Sequence, residues 1–100
     1  MIKKMSEELL KQLSWNTPKE VQEEAIKKLE KLKNLTPLFQ PTTKECNKNV
    51  WDNCAKIIIS KTDAELIPYM DNMFEWLQDM NWPGSWKILK RIKKKYHLKK

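Results

Sequence analysis

The sequence predicts an all-α fold, a HEAT-like stack of about five antiparallel helices. Three observations predict it. Apolar residues recur at spacings of three and four along most of the chain. One Gly and five Pro in 100 residues are too few for a β fold rich in tight turns. The one run that reads as a strand, residues 57–59, has no second run to pair with.

The first helix is expected over 6–14, where Met5, Leu9, Leu10 and Leu13 make one stripe and Ser6 offers a cap. A second is expected over 18–34, with Thr17 as cap, Pro18 in the first helical position, and Val21, Ala25, Leu29 and Leu32 inward. Glu23/Lys27 and Glu24/Lys28 are helpful pairs on its wet side. Pro37 and Pro41 mark the connection over 34–43, with Leu38 and Phe39 tucked inward. The third helix, 44–60, carries a broad apolar face of Val50, Trp51, Cys54, Ala55, Ile57 and Ile58, which suits a central helix covered on two sides. Thr62-Asp63-Ala64-Glu65 starts a fourth, 63–80, in which Pro68 falls early or kinks the rod. Its stripe runs Leu66, Ile67, Met70, Met73, Phe74, Leu77, Met80. A fifth, 83–96, shows Trp86, Leu89, Ile92 and Tyr96 on one face and leads into a basic tail over 93–100.

One hundred residues make one domain, able to bury roughly 65% of the surface of its unfolded chain. That length excludes a two-domain enzyme. Glu7 and Glu8 interrupt any signal-peptide run, and no segment approaches the roughly 18 apolar residues of a membrane span, so a cytoplasmic protein with no membrane association is expected. Cys46 and Cys54, eight apart, would lie about 12 Å apart along a helix, too far for a disulfide. They read as reduced, small apolar side chains.

The formal charge of +7 is unevenly placed. Residues 81–100 hold seven Lys, one Arg and no acid, so the basicity belongs to the last helix and tail.

Two corners share a pattern: Ser14-Trp15-Asn16-Thr17-Pro18 and Asn81-Trp82-Pro83-Gly84 each place a small polar residue before Trp, with Pro opening the next helix. The pattern reads as a degenerate repeat of helix hairpins. Trp15, Pro18, Trp76, Trp82, Pro83 and Gly84 are its expected structural corner residues, the indoles wedged between hairpin arms with each N–H on a carbonyl.

The stretch DAELIPYMDNMFEWLQDMNWPGSWKILKRI resembles the core of a family of small uncharacterised bacterial proteins built from HEAT-like helical hairpins. Its most specific parts are Glu75-Trp76-Leu77-Gln78-Asp79 and Asn81-Trp82-Pro83-Gly84, an EWLQDxNWPG-type motif. KNVWDNCAKIIISK and SWNTPKEVQEEAIKKL are similar to it as well. Trp86 stands where the family pattern would place a small residue. The resemblance implies a fold and an interaction role, with some relatives in settings of bacterial toxin immunity. It supplies no catalytic residues.

Catalysis has little to stand on. His97 is the only histidine and lies in the basic tail, so neither a nucleophile triad nor a His/Cys zinc site assembles. A single Gly excludes a glycine-rich phosphate loop. Asp71, Glu75 and Asp79 recur every fourth residue as an acidic ridge, a solvated face or one paired with lysines sooner than a cation site. No cofactor and no metal are expected. The opposing basic ridge, Lys87, Lys90, Arg91 and Lys94, is the expected partner-binding surface. Its partner is an acidic protein, with a nucleic-acid adaptor as the competing reading. Nucleic acid calls for interleaved, exposed aromatics and more arginine, whereas Trp86 is expected on the apolar stripe.

Overall fold

The computed structural model describes residues 2–95, with side chains from residue 7. Helix α1 (Ile2–Lys11) begins earlier than expected, so Ser6 lies inside it and is no cap. It ends three residues early, Lys11 facing the negative end of its dipole. Leu10 and Leu13 are buried; the side chain of Met5 lies outside the described residues.

In α2 (Lys19–Leu29), Pro18 occupies the N-cap position and no side-chain cap forms, correcting both the placement of Pro18 in the first turn and the assignment of Thr17. The Thr17 carbonyl instead accepts from Gln22 Nε2 at 2.7 Å. The helix stops well short of residue 34, and the Lys61 ammonium donates to the Glu30 carbonyl at its end. Its buried face is Ala25, Ile26 and Leu29, with Val21 exposed. The connection carries a 3-10 turn, Thr36–Leu38. Leu35 and Leu38 enter the core and Phe39 packs against it, while the Tyr69 hydroxyl accepts the Leu35 N–H at 3.0 Å.

Helix α3 (Lys48–Ile58) starts four residues late because Asn47 caps it, accepting the Lys48 N–H. The six residues of its expected face are all buried. It packs against α2, the 3-10 turn and α6 (Ser85–Lys95), which makes it the central helix. Asn53 fastens the first corner to it: Nδ2 donates to the Leu13 carbonyl at 2.9 Å and to Gln22 Oε1 at 2.8 Å.

Helix α4 (Asp63–Leu66) opens with the expected capping box of Thr62 and Glu65. Pro68 then imposes a 3-10 turn, Ile67–Tyr69, before α5 (Met70–Trp76). A 3-10 turn advances about 3.0 residues per revolution rather than 3.6, so it rotates the face that α5 turns inward. The buried residues become Leu66, Met73 and Trp76, while Ile67 and Phe74 face solvent, correcting the predicted stripe. The rod ends at Trp76, so Asp79 stands on the turn beyond it and Asp71, Glu75 and Asp79 form no continuous helical ridge.

The two Trp-Pro corners differ. Trp15 is 57% exposed, its backbone N–H donating to the Asn49 carbonyl, and Gln22 and Asn53 close that corner with their side chains. The second corner is packed solid: Trp76 is fully buried, its Nε1–H donating to the Pro83 carbonyl at 2.9 Å. Its indole meets Trp51 and Phe39 edge-on, and Trp51 in turn meets the half-buried Trp82. The Ser85 hydroxyl lies within hydrogen-bonding reach of the Trp76 and Asp79 carbonyls, tying the end of α5 to the start of α6. Gly84 turns the chain between them with φ +88°. A radius of gyration of 13.1 Å matches the ~13 Å of a compact chain of this length.

Candidate interaction surface

The chemistry-bearing face lies on α6. Ser85, Ile88, Arg91 and Ile92 point into the protein, fixing the helix on α3 and α5. The opposite side is left to Trp86, Lys90, Lys93 and Lys94, all exposed. Trp86, 63% exposed, is therefore not part of the apolar stripe, and its bulk after Gly84 costs the corner nothing.

The four residues expected to bind a partner come together around one cleft of about 360 Å³, whose only other lining residue among those described is Ile59 at the end of α3. Their surroundings differ. Lys87 Nζ pairs with Asp52 at 2.8 Å, both side chains more than a third exposed, a contact worth well under about 1 kcal/mol. Arg91 is almost buried: its Nη2 donates to Asp63 Oδ1 at 2.6 Å and to the Lys61 carbonyl at 2.9 Å. The guanidinium thus clamps α6 to the α3–α4 corner, so this member of the expected partner-binding surface is largely taken up within the fold. Lys90 and Lys94 are exposed and make no ion pair among the described residues.

For Asp71, Glu75 and Asp79 the sequence predicts a solvated face or one paired with lysines; the ion pairs of Lys87 and Arg91 go instead to Asp52 and Asp63. Both acids are far from their partners in sequence, and no local spacing announces them. Asp79 Oδ1 accepts the Asn81 N–H at 2.9 Å, shaping the turn. Among the described residues, no group of three His, Cys, Asp or Glu side chains is placed to hold a metal ion, and no helix is long and apolar enough to cross a membrane.

A second hollow, about 960 Å³, opens between α1 and the 34–46 connection, with Leu10, Leu32, Pro37, Phe39, Pro41 and Cys46 among its walls. Lys11 bridges its rim to Glu45 at 3.0 Å, and that carboxylate raises the lysine above its usual range. Periodicity gives no sign of this hollow, because one wall is irregular backbone. The rim carries both signs of charge and so selects neither. Both cysteines are free and buried. Burial pushes the Cys46 thiol up and the Cys54 thiol up further, which leaves neither suited to nucleophilic work.

The second corner, α6 and the helix that carries them also decide the chain's kinship. The profile of a domain of unknown function, DUF5071, matches residues 46–99. The chain belongs to this family. The matched segment begins at Cys46 and contains α3, the Trp76–Gly84 corner and the basic helix, so every residue around the α6 cleft lies within the DUF5071 region. No curated protein and no solved structure is significantly similar to the chain.

Proposed function

We propose that this DUF5071 protein is a non-catalytic protein-interaction module in which α1–α2 and α5–α6 act as HEAT-like hairpins on either side of α3, presenting the α6 cleft to an acidic partner. The observation that carries this reading is the convergence of Lys87, Lys90, Arg91 and Lys94 on a single cleft with no acidic residue among its described lining, Asp52 and Asp63 offsetting only Lys87 and Arg91. Like-charged groups held around one depression raise the local potential and steer an oppositely charged surface into register. Arg91 fixes the helix, Lys87 is held in place by Asp52, and Lys90 and Lys94 meet the partner. The narrowest version is capture of an acidic toxin surface, in line with the setting that the family resemblance implies.

A nucleic-acid adaptor is the second reading, and one observation favours it: Trp86 is exposed on the lysine face, as a base-stacking platform requires. That face carries one exposed indole, since the exposed Trp15 stands at the other corner, and the chain's single Arg is turned inward; both weigh against it.

Affinity capture from lysate of the source cells, with and without nuclease treatment and with wild type beside a Lys90→Glu/Lys94→Glu variant, separates the readings. An acidic protein held by wild type and lost by the variant is expected. Identical eluates, or material that disappears on nuclease treatment, overturn the proposal.

A further inference from the structure

Resting on the reading of α6 as a protein-binding face, we infer that the cleft recognises an acidic–aliphatic motif, in which one aliphatic side chain is flanked by carboxylates. Ile59, the residue that follows α3, is half-buried and is the apolar residue of a cleft whose other described lining residues are Lys87, Lys90, Arg91 and Lys94. A volume of about 360 Å³ accommodates one or two side chains rather than a folded surface.

A lysine can lay its methylene stem along apolar surface while its ammonium group stays in water, so Ile59 and such stems offer carbon to an aliphatic side chain and the ammonium groups offer charge to the carboxylates beside it. Two of the four cations are held in position, Lys87 by Asp52 and Arg91 by Asp63 and the Lys61 carbonyl, which keeps the cleft open without a ligand. Lys90 and Lys94 make no ion pair among the described residues and are the groups left to meet carboxylates. Trp86 lies one turn before Lys90 on the same exposed face, where a peptide leaving the cleft toward the start of α6 would pass over its ring. An acidic surface without an apolar residue would satisfy the rim and leave Ile59 uncovered.

The test is fluorescence anisotropy on the full chain at low salt with three labelled probes: a short Asp/Glu peptide with one central Leu, the same peptide with Ser in place of Leu, and oligo(dT). The Leu peptide is expected to bind roughly tenfold more tightly than the Ser peptide, the scale of one aliphatic side chain removed from water. An Ile59→Ser variant is expected to abolish that difference while retaining charge-driven binding; Ile59→Ala serves if the serine variant melts early. Equal binding of the two peptides by wild type overturns this inference and leaves the acidic-partner reading standing. Failure of both peptides, or binding of oligo(dT) alone, overturns the reading together with the inference.

Discussion

Gly84 lies against Ala55 so closely that a Cβ on the glycine would come within 2.7 Å of the Ala55 Cβ, with the Trp51 carbonyl and the Trp76 ring each 3.2 Å away. The chain's only glycine is therefore needed twice, for its positive φ and for the contact that lets the second corner sit on α3. Gly84→Ala combines left-handed strain of about 1 kcal/mol with overpacking of about 1–3 kcal/mol. A loss of roughly 3 kcal/mol in urea unfolding is expected; a loss below about 0.5 kcal/mol would mean that the corner has room the geometry denies.

The tryptophans should separate by burial. Trp76→Ala, in the fully buried centre of the aromatic cluster, is expected to cost about 3–5 kcal/mol. Trp76→Phe keeps an aromatic ring but leaves a void in the place of the rest of the indole and strands the Pro83 carbonyl, a loss of about 2–3 kcal/mol. Trp82→Ala should cost less than Trp76→Ala, since Trp82 is only half-buried. Trp15→Ala should stay within about 0.5 kcal/mol. Chemical denaturation of the four variants gives the order, and a costly Trp15→Ala would restore the equivalence of the two corners.

The features legible in the sequence are those that depend on neighbours along the chain. The α3 face follows from apolar spacing and a covered position on both sides, and each of its six members is buried. The Thr62–Glu65 box is local chemistry and forms as read. Spacing alone misplaces Ile67 and Phe74, because Pro68 sets a 3-10 turn whose rotation the apolar pattern does not report. Trp15 and Trp82 look alike in sequence, yet their burial depends on Asn53 and Gln22 at one corner and on Trp51 at the other. The cleft is half legible: its four cations share a helix, while Ile59 comes from another part of the chain and the anchors Asp52 and Asp63 lie 35 and 28 residues from the cations they pair with.

Arg91 should behave as a structural residue. Arg91→Ala removes a charged hydrogen bond to Asp63, a bond to the Lys61 carbonyl and a buried stem, and is expected to cost about 2–3 kcal/mol. Arg91→Lys should recover little, because Nη2 donates both bonds and a lysine ammonium ends one atom short of its position. Thermal melts of both variants check this. Wild-type stability in either would show that the guanidinium is free to meet a partner.

The Glu65 carboxylate is held below its ordinary value, chiefly by the Thr62 backbone N–H and then by the Thr62 hydroxyl. A folded value below the unfolded one means its contribution is present above the unfolded pKa, about 4.3, and is lost as pH falls through the folded one. Stability should therefore decline on acidification below about pH 4, and Glu65→Gln should flatten part of that decline. Unfolding midpoints across this range measure it, and identical acid slopes for wild type and variant would contradict the box.

The central claim is that Lys90 and Lys94 bind an acidic protein. Calorimetric titration of the captured partner into wild type and into Lys90→Glu/Lys94→Glu, with melting temperatures matched, tests it most directly. A Kd weakened by at least about tenfold in the variant, and in wild type weakened further by added salt, is the predicted result. An unchanged Kd would place the interaction elsewhere on the chain.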